Sequence, residues 1–361
     1  SVTAAEVMYR DLHQNPELSL MEFKTAAMMA GALGKLGFEV TTGVGGNGVV
    51  GVLRNGKGPV IMLRTDMDAL PVRETTGLPF ASMVTVETPQ DRETPVMHAC
   101  GHDLHMTVWH GTLQTLTTLR GKWKGTLVAI AQPAEEVSGG SEQMIADGLY
   151  SRFPKPDYAL CYHVSPDLPA GTVGYLPGAI FAGVNSADIK VFGVSGHGAM
   201  PHKTIDPVVL SAKIILNYQT IVSREINPVY PAVVTVGAIH GGTKHNIIPG
   251  EVDMKLTLRF FSDAVYRQIK EALVRIANCE AAAAGLPLEK MPVIDFADEY
   301  TPPVENDANL VSMAVASMET VIGKENVIRV DPSTVAEDFG QYGRTDEKVK
   351  IALFWLGGAN R

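Results

Sequence analysis

The stretch MHACGHDLH (97–105) places three histidines, an aspartate and one of the chain's three cysteines within nine residues. Cys100 and His102 are separated by a single glycine, so in an extended loop both side chains can turn to the same side. Thiolate and imidazole groups are common ligands of zinc. The spacing predicts a pair of metal ligands, while a packed cysteine beside a capping histidine is the alternative interpretation of the pair taken alone.

More candidate ligands follow apolar runs that are typical of buried strands. Glu135 and Glu136 come after LVAI, and His163 comes after YAL. Adjacent carboxylates outside a helix point in different directions, so one can bind a metal while the other faces the metal's water. The mixed sulfur, nitrogen and oxygen set suits Zn or Mn-like divalent ions. We predict a metal centre whose ligands are Cys100, His102, Glu136 and His163.

Two other motifs have weaker support. Gly43, Gly45 and Gly48 fit the G-x-G-x-x-G pattern of dinucleotide-binding loops, but that loop must open a helix, and the VVGVL run behind these glycines is typical of a strand. We therefore predict a glycine-rich hairpin. The segment GVSGH (193–197) lacks the last glycine of a nucleophile elbow, which argues against a serine hydrolase.

Composition excludes several classes of partner. The 361 residues are 45% hydrophobic and 19% charged, enough for one large or two ordinary domains. A net charge of −9 without a Lys/Arg run argues against a nucleic acid or an anionic membrane as the main partner. No apolar stretch reaches the roughly 18 residues of a membrane span. Three widely spaced cysteines favour a location in the cytoplasm. The chain lacks an initial Met, so removal of a leader peptide stays an open alternative.

The elements around these motifs predict an α/β fold. Short apolar runs bounded by Gly, Pro, Asn or Lys alternate with helical patterns, which favours a mixed, mostly parallel sheet sandwiched by helices. The candidate ligands follow strand ends, where open α/β sheets usually place their sites. The interval 184–296 has the strand, helix, strand, strand, helix order of a ferredoxin-like α+β domain. We predict that it is inserted into a larger domain formed by 1–183 and 297–361.

Eight short motifs resemble, in order, those of a family of metal-dependent amidohydrolases. The family includes hippurate hydrolases, N-acyl-amino-acid deacylases and plant auxin-conjugate hydrolases, which are relatives of aminoacylases and bacterial glutamate carboxypeptidases. The resemblance implies a zinc-peptidase-like fold whose inserted domain is a lid and forms the dimer contact. It also implies that the protein hydrolyses small N-acyl amino acids. The motifs are RTDMDALP, MHACGHD, AEE, YHV, SGHGAMPH, DP, VGAIHGGTKHNIIP and AEDFG.

The resemblance also implies roles for residues in the large domain. Two divalent ions per subunit, Zn or Mn, would have Cys100 between them. Glu135 corresponds to the general base. Asp66 would orient a ligand imidazole, and a simple turn residue is its alternative. The wider superfamily usually has a metal-binding histidine where this chain has Arg64.

Three further residues are assigned by the resemblance within the predicted inserted domain. His197 matches a histidine that reaches an active site, commonly that of the other subunit of a homodimer. Asn246 and Arg259 match positions that hold the substrate's carboxylate. His202 and His245 lie nearby and remain alternatives to His197.

Two rival functions stay open at this point. Cys100 could be the nucleophile of a cysteine hydrolase with His102 or His105 as its base, although the Cys100 and His102 spacing is poor for that pairing. A metal-bound homologue that only binds acylated ligands is the other alternative. It arises because the family's last ligand histidine is expected beyond Arg361, and no histidine follows His245.

Overall fold

The computed structural model describes residues 2–89 and 91–360. Its α-helices, in chain order, are α1 (Val2–Gln14), α2 (Phe23–Lys35), α3 (His102–Thr118), α4 (Gly140–Ala146), α5 (Leu149–Arg152), α6 (Pro207–Thr220), α7 (Asp263–Ala283) and α8 (Ala308–Ile322). Its strands are β1 (Glu39–Val44), β2 (Gly48–Asn55), β3 (Val60–Asp66), β4 (Thr85–Val86), β5 (Thr94–Pro95), β6 (Gly125–Gln132), β7 (Tyr158–Pro169), β8 (Val173–Tyr175), β9 (Gly178–Phe181), β10 (Gly183–Phe192), β11 (Gly196–His197), β12 (Ala232–His240), β13 (Ile247–Ile248), β14 (Glu251–Phe260), β15 (Val293–Phe296), β16 (Val304–Asn306), β17 (Val327–Arg329) and β18 (Lys350–Ala359).

Residue contacts divide the chain into two compact units. The main unit contains the residues up to Ile180, the segment Val304–Pro332 and the residues from Glu337 onward. The inserted unit contains Phe181–Pro303 and Ser333–Ala336. Each unit has its own sheet and its own buried cluster of apolar side chains.

The main unit is built on an eight-stranded sheet with the order β1-β2-β6-β3-β7-β18-β8-β17. The central pairs β6 with β3, β3 with β7 and β7 with β18 are parallel, whereas β1 with β2 and β2 with β6 are antiparallel. Residues of β6 are buried along almost its whole length, as expected for a strand covered on both faces. The predicted mixed, mostly parallel sheet is confirmed.

Helices cover both faces of this sheet. Leu127 and Ala129 of β6 belong to one apolar cluster with Met29 of α2 and Trp109 of α3. Because successive strand residues point to opposite faces, the buried side chain of Val128 lies on the other face. There β6 contacts α4. The sheet is therefore sandwiched by helices, and its buried strands end in the loops that carry the candidate ligands.

The predicted glycine-rich hairpin connects β1 and β2, which pair antiparallel. Gly43 and Gly45 have φ angles of 74° and 62°, a region that favours glycine. A Cβ atom on Gly45 would lie 2.4 Å from the backbone nitrogen of Met144. The pattern that formally matched a dinucleotide-binding loop thus serves a tight turn.

The inserted unit has a four-stranded sheet with the order β12-β14-β10-β15. Helices α6 and α7 begin at good N-caps, because the side chains of Asp206 and Ser262 accept backbone hydrogen bonds from their first turns. Both helices bury residues such as Ile214 and Leu273 in one cluster with the sheet. The chain order β10, α6, β12, β14, α7 is the order expected from the sequence.

Among the residues described in both units, no helix is long and apolar enough to span a bilayer.

Candidate metal centre

Three adjacent parallel strands bring several of the candidate site residues to one edge of the main sheet. Asp66 is the last residue of β3, Glu135 and Glu136 follow the end of β6 at Gln132, and His163 lies in β7. Carboxyl ends of neighbouring parallel strands meet at the same edge, so residues distant in sequence converge. The same edge receives the first turn of α3.

Cys100 and His102 reach this edge through a turn rather than the extended loop expected from the sequence. Gly101 between them has a φ of 80°, and His102 is the first residue of α3. A Cβ atom on Gly101 would lie 2.5 Å from Cγ1 of Val164. The glycine is therefore required both for the left-handed turn and for its close approach to β7.

Ligand atoms of the predicted residues lie close together. In each of two groups, every atom lies within 4.8 Å of the others: Cys100 with His102 and His163, and His102 with Glu135 and Glu136. The Cys100 sulfur is 3.5 Å from Nε2 of His163. Nε2 of His102 is 3.7 Å from Oε1 of Glu136. The two groups share His102, so they form one continuous cluster.

The loop that carries Glu135 and Glu136 is held in an unusual backbone conformation. Ala134 has a φ of 53°, which costs a residue other than glycine roughly 1 kcal/mol or more and persists only where its surroundings impose it. The buried carboxylate of Glu22 accepts a hydrogen bond from the Ala134 nitrogen at 2.8 Å. The Glu136 nitrogen donates to Asp68 at 2.9 Å. These two contacts set the direction of the adjacent acids.

Several buried polar atoms of the cluster have no hydrogen-bond partner among the described residues. They are both ring nitrogens of His102, Oε1 of Glu136 and Oδ1 of Asp68. An unpaired buried polar atom costs about 1–3 kcal/mol, so a convergent group of them needs an explanation. The electron-donating atoms of this set fit a bound cation.

The ionisation of His163 and Cys100 is consistent with this fit. Burial lowers the pKa of His163 to about 3, and its Nδ1 donates to the Val164 carbonyl oxygen at 2.8 Å. The neutral ring therefore presents the lone pair of Nε2 toward Cys100. Burial raises the pKa of the Cys100 thiol. A metal ion would deprotonate this thiol, whereas a nucleophilic cysteine without a metal usually has a lowered pKa.

Asp66 contacts two imidazoles of α3. Its Oδ1 accepts a hydrogen bond from Nδ1 of His105 at 2.8 Å, and its Oδ2 lies 3.8 Å from Nε2 of His102. Burial opposes ionisation of Asp66, but the charges of His102, His105 and Arg64 lower its pKa well below the usual value. Asp66 is therefore an ionised carboxylate that orients α3, with its shortest imidazole contact to His105 rather than to a predicted ligand.

Arg64 is the centre of a buried ion network behind the cluster. Its guanidinium lies 2.6 Å from Asp66, 2.8 Å from Glu337 and 3.0 Å from Asp338. Its Nε also donates to Gln132 at 3.0 Å. Arg64 thus places one positive charge among three buried acids.

This network adjoins Glu135. The Asp338 nitrogen donates to Oε1 of Glu135 at 3.4 Å. Burial of the Glu135 carboxyl group, with the negative charges of Glu337 and Asp338, raises its pKa well above the usual value. A carboxylate in this setting has an increased affinity for a proton, as a general base requires.

One supporting contact had no signal in the sequence. Nδ1 of His13 in α1 lies 2.6 Å from Asp103, and Nε2 lies 3.1 Å from Glu74. The hydrogen bond to Asp103 is the main reason why the pKa of His13 is raised to about 9. The charged imidazole therefore joins α1 to the first turn of α3, which carries His102. Its partners are 90 and 61 residues away, so no local pattern predicts them.

The other three predicted residues lie in the inserted unit. His197 is an exposed residue of β11, which pairs with β13. The nitrogen of the next residue, Gly198, donates to the Asn246 carbonyl oxygen at 2.8 Å. Arg259 lies in β14 and donates to the Thr334 carbonyl oxygen at 3.4 Å. Within this unit, His197 and Asn246 are neighbours, while the roles assigned to all three residues stay predictions.

Two relatives are similar over nearly the whole chain. Thermostable carboxypeptidase 2 of Saccharolobus solfataricus is 35% identical, covering 97% of this chain and 85% of that protein. N-acetyldiaminopimelate deacetylase of Limosilactobacillus reuteri is also 35% identical, covering 96% of this chain and 88% of that protein.

A solved structure agrees with these sequence matches. A Bacillus subtilis protein, described as a dinuclear metal-binding peptidase of the M20 family, has a TM-score of 0.81 and 30% identity, covering 98% of this chain and 88% of that one. A profile of peptidase family M20/M25/M40 matches residues 62–361, more than half of the chain. The resemblance inferred from the motifs is confirmed, and the chain belongs to peptidase family M20/M25/M40.

Proposed function

We propose that this protein is a metal-dependent hydrolase of the amide bond in N-acyl amino acids, releasing a carboxylic acid and a free amino acid. The observation that carries the proposal is a cluster of potential metal-ligating atoms on His102 and Glu136 that are buried and have no hydrogen-bond partner among the described residues. They lie beside a Glu135 carboxyl group whose pKa is raised. The deacetylase and carboxypeptidase names of the relatives support the same reaction class.

Two divalent ions, Zn or Mn, are the proposed cofactors, and Cys100 would be one of the residues that hold them. The further protein ligands are His102, Glu136 and His163. Metal ions of this kind polarise an amide carbonyl and lower the pKa of water. The donor set contains sulfur, nitrogen and oxygen atoms, so ligand type is compatible with both metals.

Glu135 is the proposed base. Its carboxylate takes a proton from the attacking water and later returns it to the departing amine nitrogen. Burial of the carboxyl group, together with the negative charges of Glu337 and Asp338, raises its pKa, which favours holding that proton between the two steps. In the same proposal His197 stabilises the oxyanion that develops, and Asn246 and Arg259 hold the substrate's carboxylate through hydrogen bonds.

The test is hydrolysis of N-acyl amino acids combined with metal analysis. We expect the purified protein to bind two equivalents of divalent metal, and we expect chelation to remove hydrolysis and lower the melting temperature because the donor atoms lose their cation. Restoring Zn or Mn should restore both.

Alkylation separates this proposal from its cysteine-hydrolase rival. Chelator-resistant activity that is lost on alkylation of Cys100 would overturn the metal proposal. The exposed Cys279 is the control, because its replacement by serine should change neither the effect of chelation nor the effect of alkylation on activity. Tight metal binding without hydrolysis of any N-acyl amino acid would favour the ligand-binding homologue instead.

We also propose that the protein forms a homodimer through the inserted domain, 184–296, which would act as a lid. Strand β12 is an edge of its sheet, and Val208 and Leu216 of α6 are 43% and 70% exposed. Exposed apolar residues beside an open strand edge favour association. Light scattering should give a dimer mass that Leu216→Glu reduces to that of a protomer. A protomer mass for the unaltered protein would contradict the proposal.

The cytoplasmic location and the lack of a nucleic-acid or membrane partner stay predictions. The location is supported by the three cysteines, all of which are free thiols in the structure.

A further inference from the structure

A cavity of about 500 Å³ lies in the main unit beside the candidate metal centre. Glu136, one of the proposed ligands, forms part of its wall. The volume is within the range of roughly 300–1,000 Å³ that small-molecule pockets usually have. A group attached to a carbonyl at the metal centre could therefore extend into it.

The wall of the cavity is mostly aliphatic. Its apolar side chains come from two segments near the amino end and from the loop after β6. They are Leu18, Ala69, Leu70, Pro71 and Val137. This lining favours hydrocarbon over solvated polar groups, since burial of apolar surface is favourable.

The hydroxyl groups in the wall are already engaged. Ser19 donates to Asp68 at 2.6 Å, and the hydroxyls of Thr88 and Thr94 are 2.9 Å apart. Of the described residues that form this wall, none is a lysine, arginine or histidine, and the single charged one is Glu136. The described side chains of the wall therefore offer no cation for a carboxylate, and the free carboxylate of an amino acid does not suit this lining.

Backbone contacts give the cavity a preformed shape. Leu18 forms a β-bridge with Ala69, and Leu70 forms a second bridge with Met97. The Leu70 nitrogen donates to the Met97 carbonyl oxygen at 3.0 Å. A pocket whose walls are fixed in this way selects ligands by size, because a group that is too small leaves apolar surface uncovered.

We propose that this cavity receives the acyl chain of the substrate and selects an uncharged aliphatic acyl group longer than acetyl. The inference rests on the proposed function, because the metal centre must polarise the carbonyl that carries the chain. Acetyl would leave most of the volume empty. Leu70 is the specificity-determining residue that the geometry favours, since its side chain lines the cavity and its backbone is held in place.

A series of N-acyl derivatives of one amino acid tests the proposal. From acetyl through butanoyl to hexanoyl, kcat/KM should rise about fourfold for each added methylene, which corresponds to about 0.8 kcal/mol of apolar burial. The N-succinyl derivative, which carries a carboxylate into the cavity, should be a poorer substrate than butanoyl. Equal kcat/KM for acetyl and hexanoyl would overturn the inference.

Leu70→Ala and its matched control sharpen the result. Leu70→Ala should lower kcat/KM for the hexanoyl substrate about tenfold while leaving the acetyl substrate within about twofold, since only the longer chain reaches the removed methyl groups. Leu78→Ala removes the same groups from a side chain that is 41% exposed and lies outside the lining, and should change neither substrate. An equal loss on both substrates in Leu70→Ala would contradict the assigned role.

Binding measurements separate the failure of this inference from the failure of the proposed function. If no N-acyl amino acid is hydrolysed, the function fails, but calorimetry should still give tighter binding for the hexanoyl than for the acetyl derivative, with the difference lost in Leu70→Ala. If hydrolysis occurs without dependence on chain length, the function stands and the acyl pocket is wrong. Equal binding of both derivatives also contradicts the pocket.

Discussion

Glu135→Gln should lower kcat for an N-acyl amino acid by roughly 10²- to 10⁴-fold, the usual contribution of a general acid or base. Glutamine has nearly the same shape as glutamate but cannot take a proton from water. The raised pKa of Glu135, caused by burial and by Glu337 and Asp338, makes the unaltered side chain suited to that transfer. Steady-state kinetics at saturating substrate measures the effect.

Metal content distinguishes the proposed role of Glu135 from that of Glu136. Glu135→Gln should keep the bound metal, whereas Glu136→Gln should lower the metal content. The reason is that Oε1 of Glu136 is one of the buried, potential metal-ligating atoms that have no hydrogen-bond partner in the described part of the chain. Glu87→Gln, at an exposed position, is the control for the loss of one negative charge. A Glu135→Gln enzyme with near wild-type kcat would show that another group moves the proton.

Arg64→Met should lower the free energy of unfolding by about 3–5 kcal/mol, the usual cost of removing one partner from a buried ion network. Methionine fills a similar volume but leaves Asp66, Glu337 and Asp338 without their shared cation. Uncompensated acids are unstable away from water, so they would have to take up protons or admit water. Urea denaturation of the metal-free protein measures the change.

The expected loss depends on pH. Burial already raises the pKa of Asp338 to about 7, and loss of the Arg64 charge, which lowers that pKa, should raise it further. An acid whose pKa is higher in the folded than in the unfolded state lowers the free energy of unfolding at any pH above its unfolded pKa. This loss becomes smaller as the pH falls toward the unfolded pKa. The difference between Arg64→Met and the unaltered protein should therefore be smaller at pH 5.5 than at pH 8.

Arg54, in the antiparallel strand β2 of the same sheet, provides the control. Arg54 lies 2.9 Å from Glu39, but both side chains are largely exposed. Arg54→Met should cost only about 0–1 kcal/mol, as is typical of surface ion pairs. Similar costs for the two substitutions, or a loss in Arg64→Met that is independent of pH, would contradict the network described for Arg64.

Local patterns in the sequence were sufficient for much of the fold. Short apolar runs such as VVGVL and LVAI became β2 and β6 because a strand covered on both faces must be apolar along its length. The C-G-H spacing predicted a ligand pair for a related reason, since a single intervening glycine allows two side chains to lie close together. The details of that turn were not predictable: the close approach to Val164 that requires Gly101 belongs to a strand more than sixty residues later.

The sequence by itself determined the α/β class, the family and the candidate ligand types, because periodicity and residue chemistry are local properties. Only the tertiary structure decided which carboxylate faces which partner. Arg64 and Glu337 are 273 residues apart, and His13 and Asp103 are 90 apart, yet each pair is buried and in contact. Such pairings depend on how strands and helices pack. Burial, rather than sequence position, makes their charges strong enough to set the ionisation of the acids beside the candidate metal centre.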